Sequence, residues 1–130
     1  MDRHIGQTAH PLMKLNHLNL TVSEVPAARE FLIEYFGLRP IRDAPQGPAM
    51  GFLFDDNDMV LTLIRSSRSE PVKYPGSFHI GFIQPSEERV NEINRQLRAG
   101  GYDVPPPSRQ HGSWTFYFEA PGGFTIEVLS

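Results

Sequence analysis

No cysteine occurs among the 130 residues. That absence removes disulfides, a thiolate nucleophile and thiolate metal ligands from consideration, and it is compatible with a reducing compartment. No apolar run approaches the roughly 18 residues of a membrane-spanning helix, and Met1 to His10 lack the apolar core of a signal peptide. Basic clusters are missing too. The 12 Lys and Arg stand against 15 Asp and Glu, a net charge of −3, so no cationic footprint for nucleic acid forms. The expectation is a soluble, cytoplasmic protein with no nucleic-acid or membrane partner. What is present is ordinary for one globular domain: 39% hydrophobic and 21% charged residues, in a chain long enough to bury most of its apolar surface.

Gly and Pro divide the chain into segments. The polar lead-in of residues 1–13, with His4 and His10, reads as an unstructured tail. Leu15-Asn16-His17-Leu18-Asn19-Leu20-Thr21-Val22 alternates as a strand. Ser23 as cap and Pro26 in the first turn open a helix, Ala27, Ala28, Phe31, Leu32, Tyr35 and Phe36 recur at helical spacing, and Gly37 stops it. Strands follow from Leu38 to Ile41, Met50 to Asp55 and Met59 to Arg65. Residues 66–76, polar with two prolines, form a linker. The order then repeats. A strand runs from Phe78 to Gln84, and a helix follows with Val90, Ile93, Asn94 and Leu97 as its buried stripe. After it come a short strand from Tyr102 to Val104, a rigid loop at Pro105-Pro106-Pro107-Ser108, and strands from Ser113 to Glu119 and Phe124 to Leu129. The spacing therefore predicts one domain over 14–130, made of two modules at about 14–66 and 77–130.

Alternation places chemistry on these strands. In the last one, Phe124, Ile126 and Val128 share a face and leave Glu127 on the other. His17 lies opposite Leu18, Leu20 and Val22, and His79 opposite Phe78, Ile80 and Phe82. Taken singly, a mid-strand histidine is ordinarily a half-buried, hydrogen-bonded residue and a strand glutamate a solvated one. Together they have matched parity on three strands whose other faces are apolar. Two neutral imidazoles and one carboxylate form the triad that leaves open positions on a divalent first-row metal. Laying one module on the other pairs His17 with His79 and Thr62 with Glu127, so a fourth ligand position is filled by threonine.

These stretches resemble the vicinal oxygen chelate superfamily of glyoxalases, bleomycin- and fosfomycin-resistance proteins and type I extradiol dioxygenases. They are Leu15 to Val22 with the following helix and Phe36-Gly37-Leu38, then Phe78-His79-Ile80, then Phe116 to Glu127. The resemblance runs from about Lys14 onward. It implies an α+β fold of two βαβββ modules forming a cupped mixed β-sheet with helices on the outer face, often completed as a homodimer, with the metal inside the cup. His17, His79 and Glu127 fall on the metal positions. Fe(II) or Mn(II) is favoured, and Zn, Ni or Co also suits such a donor set.

Glyoxalase I and its relatives use a fourth protein ligand where Thr62 stands, whereas the three-ligand pattern is similar to extradiol dioxygenases and fosfomycin-modifying transferases. Both of those groups carry a tyrosine where Tyr117 lies, ten residues before Glu127, and its hydroxyl would orient a substrate oxygen. His111, in the preceding loop, is a candidate acid or base. Arg65 and Arg109 are candidates for steering an anion. The favoured expectation is an extradiol-type dioxygenase acting on a small substrate that chelates through two adjacent oxygens. The rivals are a lyase, isomerase or transferase without O₂, and a drug-sequestering dimer with Trp114 and Phe-rich strands behind its pocket.

Overall fold

A computed structural model describes residues 11–67 and 71–130. The lead-in with His4 and His10 lies outside the described residues, as does the middle of the linker at 68–70.

The first module runs β1 (His17–Val22), α1 (Val25–Phe36), β2 (Arg39–Pro40), β3 (Met50–Phe54) and β4 (Val60–Arg65). The second runs β5 (Ile80–Ile83), α2 (Glu87–Ala99), β6 (Ser108–Gln110), β7 (Ser113–Ala120) and β8 (Phe124–Leu129). Each module folds into a four-stranded mixed sheet, in the order β1-β4-β3-β2 and β5-β8-β7-β6. In both, the opening and closing strands pair in parallel and the remaining pairs are antiparallel. The expected α+β fold of two βαβββ modules is what forms.

Each helix ends where its sequence requires. Gly37 at the end of α1 adopts a left-handed φ of 67°, and the Gly37 and Leu38 N–H groups donate to the Ile33 and Leu32 carbonyls. Ser86 caps α2 by accepting the Arg89 N–H at 3.1 Å, and Glu87 and Glu88 lie against the positive end of its dipole. The buried stripe of α2 is Val90, Ile93, Asn94 and Leu97, as its periodicity predicts. Two local expectations are corrected. At α1 the cap position belongs to Glu24, not Ser23, with no side-chain cap, and Pro26 supplies the preset first turn instead. Tyr102 to Val104 is not a strand. Tyr102 turns its ring against Phe31 and Tyr35, Asn94 donates to the Pro105 carbonyl at 2.8 Å, and the strand forms after the prolines, at β6, where backbone N–H groups are available.

One core serves both modules. Phe31 of α1 has Tyr35 and Tyr102 ring centroids within 5.1 Å and Phe118 of β7 at 5.9 Å, while Phe36 stacks on Phe82 of β5 at 4.6 Å. The Ser23 N–H donates to the Gly122 carbonyl at 3.0 Å, tying the start of α1 to the β7–β8 turn. Gly122 has φ +108°, and a Cβ there would meet that of Val22 at 3.0 Å, so both backbone and space require glycine. Tyr74 of the linker accepts the Thr21 N–H and donates to the Thr21 carbonyl, at 2.9 and 2.8 Å. The linker is thereby fixed along the outer edge of β1. With helices and core on one side of each sheet, both opposite sheet faces are left for a site.

If the ring of Phe31 couples the modules, Phe31→Ala should cost ~3–5 kcal/mol, as large-to-small core changes do, and keep a single urea transition. Two separate transitions, or a loss below about 1 kcal/mol, would show that the modules do not share this core.

Candidate metal centre

β8 is the inner strand between β5 and β7, so its side chains are screened from both sides. Phe124, Ile126 and Val128 enter the core at 1% exposure or less, which leaves Glu127 on the opposite face, level with Gly81 of β5 and Tyr117 of β7. There it retains only 7% exposure. Burying a carboxylate is costly unless both oxygens find partners. Oε2 accepts the hydroxyl of the fully buried Thr115 at 2.7 Å. Oε1 faces Nε2 of His79 at 3.3 Å. Gly81 lies on the remaining side, where a Cβ would stand at ordinary contact distance, 3.9 Å, from Oε1.

The histidine's other nitrogen determines what this contact means. Nδ1 of His79 lies 3.0 Å from the Ser77 carbonyl oxygen, which can only accept, so Nδ1 carries the hydrogen. In a neutral ring the Nε2 lone pair then points at a carboxylate oxygen. Two electron-rich atoms at that distance repel and need a proton or a cation between them. A metal-bound imidazole has this arrangement, with its distal N–H anchored on a carbonyl and the free nitrogen turned to a carboxylate. Tyr117 meets the His79 ring edge-on at 5.2 Å between centroids. Its hydroxyl is pushed above the ordinary tyrosine value of 10.0, first by burial and then by the Glu127 carboxylate as hydrogen-bond acceptor and negative charge. At neutral pH Tyr117 is therefore an O–H donor.

The first module repeats the frame with other residues. Asn19 is level with Thr62 as Gly81 is with Glu127, and Phe52 flanks Thr62 as Tyr117 flanks Glu127. His17 and His79 each precede that level by two residues. The Nδ1 of His17 lies 3.1 Å from the Asn16 side-chain oxygen, which again leaves Nε2 free. His17, Asn19, Thr62 and Phe52 line a shallow hollow of about 360 Å³.

Within one chain the expected residues are brought together only in part. His79, Glu127 and Tyr117 meet on one face, while His17 stands on the other module's face. Among the described residues no three His, Asp or Glu side chains gather closely enough to hold an ion. His111 occupies the β6–β7 hairpin turn at φ 55°, exposed and six residues before Tyr117, beyond Ser113 at the start of β7, which itself lies about 13 Å from Tyr117 at the usual strand rise. Arg109 stacks on Trp114 and pairs with Glu87 of α2 at 2.8 Å, on the helix side of its sheet. Arg65 ends β4 and lines a separate hollow with Ser66, Ser67 and Val72. Sequence reasoning missed Thr115, Gly81 and Ser77. Thr115 and Glu127 do share a parity, but only the hairpin register brings them together, and the Ser77 contact is made by the backbone.

A family model described as the glyoxalase/bleomycin resistance protein/dioxygenase superfamily matches residues 14–128. Comparison with curated proteins gives no match. Among solved structures, a possible glyoxalase from Bacillus cereus is 48% identical, covering 92% of this chain and all of its own, with a TM-score of 0.82. A lactoylglutathione lyase from Agrobacterium tumefaciens is 22% identical over 92% of this chain and 95% of its own, with a TM-score of 0.71. The oxidase ChaP-H2 is 24% identical over 91% and 93%, with a TM-score of 0.70. These last two likenesses show the fold alone. No helix among the described residues is long and apolar enough to cross a membrane.

Glu127 supplies two of the three causes that raise the Tyr117 hydroxyl, so Glu127→Gln should bring its titration down toward 10.0. Tyrosinate absorbance read against Tyr117→Phe would show the shift. An unchanged titration would mean that the hydroxyl and the carboxylate are not coupled.

Proposed function

The chain belongs to the glyoxalase/bleomycin resistance protein/dioxygenase superfamily, and on that footing we propose that it is a metal-dependent enzyme acting as a homodimer. His79 and Glu127 of one copy and His17 of the other would hold one divalent ion, and a small substrate would chelate it through two adjacent oxygens. The observation that carries this reading is the His79–Glu127 contact, in which a buried carboxylate oxygen lies 3.3 Å from the Nε2 of an imidazole whose Nδ1 is anchored on the Ser77 carbonyl.

Several features support a second copy as the source of the third ligand. The donors are divided between two sheet faces of the same chain. β1 and β5 are both edge strands, and apart from Thr21 of β1, whose outward groups Tyr74 takes, their outward backbone groups invite pairing. Leu15 and Ile83 beside those edges are each 77% exposed, an unusual position for large apolar side chains that a partner would cover.

Two imidazoles and one carboxylate suit Fe(II) or Mn(II), and Zn, Ni or Co fits the same donors. When bound, such an ion acidifies a chelated hydroxyl and keeps a position for O₂, the chemistry of an extradiol-type dioxygenase. The protein's part is positional. Thr115 holds the Glu127 carboxylate in one orientation, Ser77 fixes the His79 tautomer, and the Tyr117 hydroxyl, whose hydrogen Glu127 accepts in the free protein, would turn it to the substrate oxygen beside it. A second reading, lyase or isomerase chemistry without O₂, is favoured by the possible glyoxalase at 48% identity. Thr62 weighs against it, because glyoxalase I resembles this chain but uses a fourth ligand at that place.

A mixing experiment tests the shared site. His17→Ala and His79→Ala should each lose bound metal, yet an equimolar mixture refolded together should regain about a quarter of the wild-type content. Half of its dimers would be mixed, and each of those would have one intact site of two. A mixture that stays at the level of the separate variants would contradict the proposal. Consumption of O₂ by the Fe(II)-loaded protein with a catechol supports the dioxygenase reading, and hemithioacetal turnover without O₂ uptake supports the lyase.

A further inference from the structure

The hollow beside His17 has a composition that the metal reading does not explain. Its floor is Met50, Phe52, Val60 and Ile64, relieved only by asparagines, His17 and Thr62, and no Lys, Arg, Asp or Glu lines it. At about 360 Å³ it is near the lower end of the sizes that hold small molecules. Two arginines of the same sheet lie outside this lining. Arg39 stacks on Phe54 at 4.5 Å, pairs with Asp56 at 2.7 Å and donates to the Asp55 carbonyl. Alternation sends Arg65 to the face of Leu61 and Leu63, opposite Thr62 and Ile64. On the other module's face the charged groups are acidic, with the exposed Glu119 two residues along β7 from Tyr117.

Resting on the metal-centre reading above, we infer that the site takes small substrates that are uncharged in water, with an apolar body on the Met50–Phe52–Val60–Ile64 floor. Charge balance gives the rest of the class. A divalent ion with two neutral imidazoles and one carboxylate has one net positive charge, enough for a single ionised hydroxyl beside a second, neutral oxygen. A further anionic group on the substrate would meet the apolar floor of the hollow or Glu119. Carboxylates, phosphonates and glutathione conjugates are therefore poor ligands, whereas hydroxyketones and catechols with an apolar substituent are good ones.

The test is calorimetric binding to Mn(II)-loaded protein without O₂, after metal content has been measured. The probes are 4-methylcatechol and 3,4-dihydroxybenzoate, which differ in methyl against carboxylate. The methyl compound should bind at least about tenfold tighter, because an unpaired carboxylate loses its hydration on an apolar surface. Met50→Lys, at a position already 37% exposed, should narrow or reverse the preference. Metal-loaded protein that binds the carboxylate as well as the methyl compound overturns the inference alone. So does a Met50→Lys variant that folds, binds metal and keeps the wild-type preference. Protein that takes up no metal overturns the reading beneath it.

Discussion

A carboxylate withdrawn from water in the middle of a sheet face is the constraint on which the rest of this structure turns. Glu127 is held on the inner strand of its module by Thr115 at one oxygen and confronts His79 at the other. Neither contact cancels its charge while the imidazole is neutral. Ser77 prevents the ring from resolving the conflict by changing tautomer, because a carbonyl accepts and cannot donate. Local backbone geometry thus preserves an electrostatic demand that a cation would satisfy. Structures retain such arrangements at functional sites more often than in places where packing alone is at stake.

The fold makes this possible by separating stability from chemistry. Phe31, Phe36, Phe82, Phe118 and Tyr102 gather both modules around one aromatic core. Each sheet spends its apolar face there and frees the other. The duplicated frame then carries unlike residues at equivalent levels. Glu127 and Tyr117 in the second module correspond to Thr62 and Phe52 in the first, so one face holds the carboxylate while the hollow on the other is lined by no Lys, Arg, Asp or Glu and offers a largely apolar floor beside His17. Such a difference gives a metal-binding wall and a substrate wall from one repeated unit, provided that two copies bring unlike faces together.

Much of this was legible in the sequence, and the reasons are physical. Period-two alternation around His17, His79 and Glu127 gave their faces correctly, because strands buried on one side have no other way to place Leu18, Ile80 or Ile126. The stripe of α2 was equally plain. What alternation does not carry is the partner of each face. It assigns His17 and His79 the same parity in their modules and is silent on whether those faces meet within a chain. Nor does it give cross-strand register, which is why Thr115 went unnoticed beside Glu127. The misplaced strand near Tyr102 came from reading local propensity where an aromatic ring had a better tertiary contact. His111 looked close to the centre in sequence and stands at the end of a hairpin in space.

The central claim is that two imidazoles from different modules meet one carboxylate on a single ion. X-ray absorption at the metal edge counts those imidazoles directly in the Mn(II)- or Fe(II)-loaded protein. The account predicts two histidine ligands per ion, and too little bound ion in His17→Ala to give an edge signal. One histidine in the wild type, or a count that His17→Ala leaves unchanged, would contradict it.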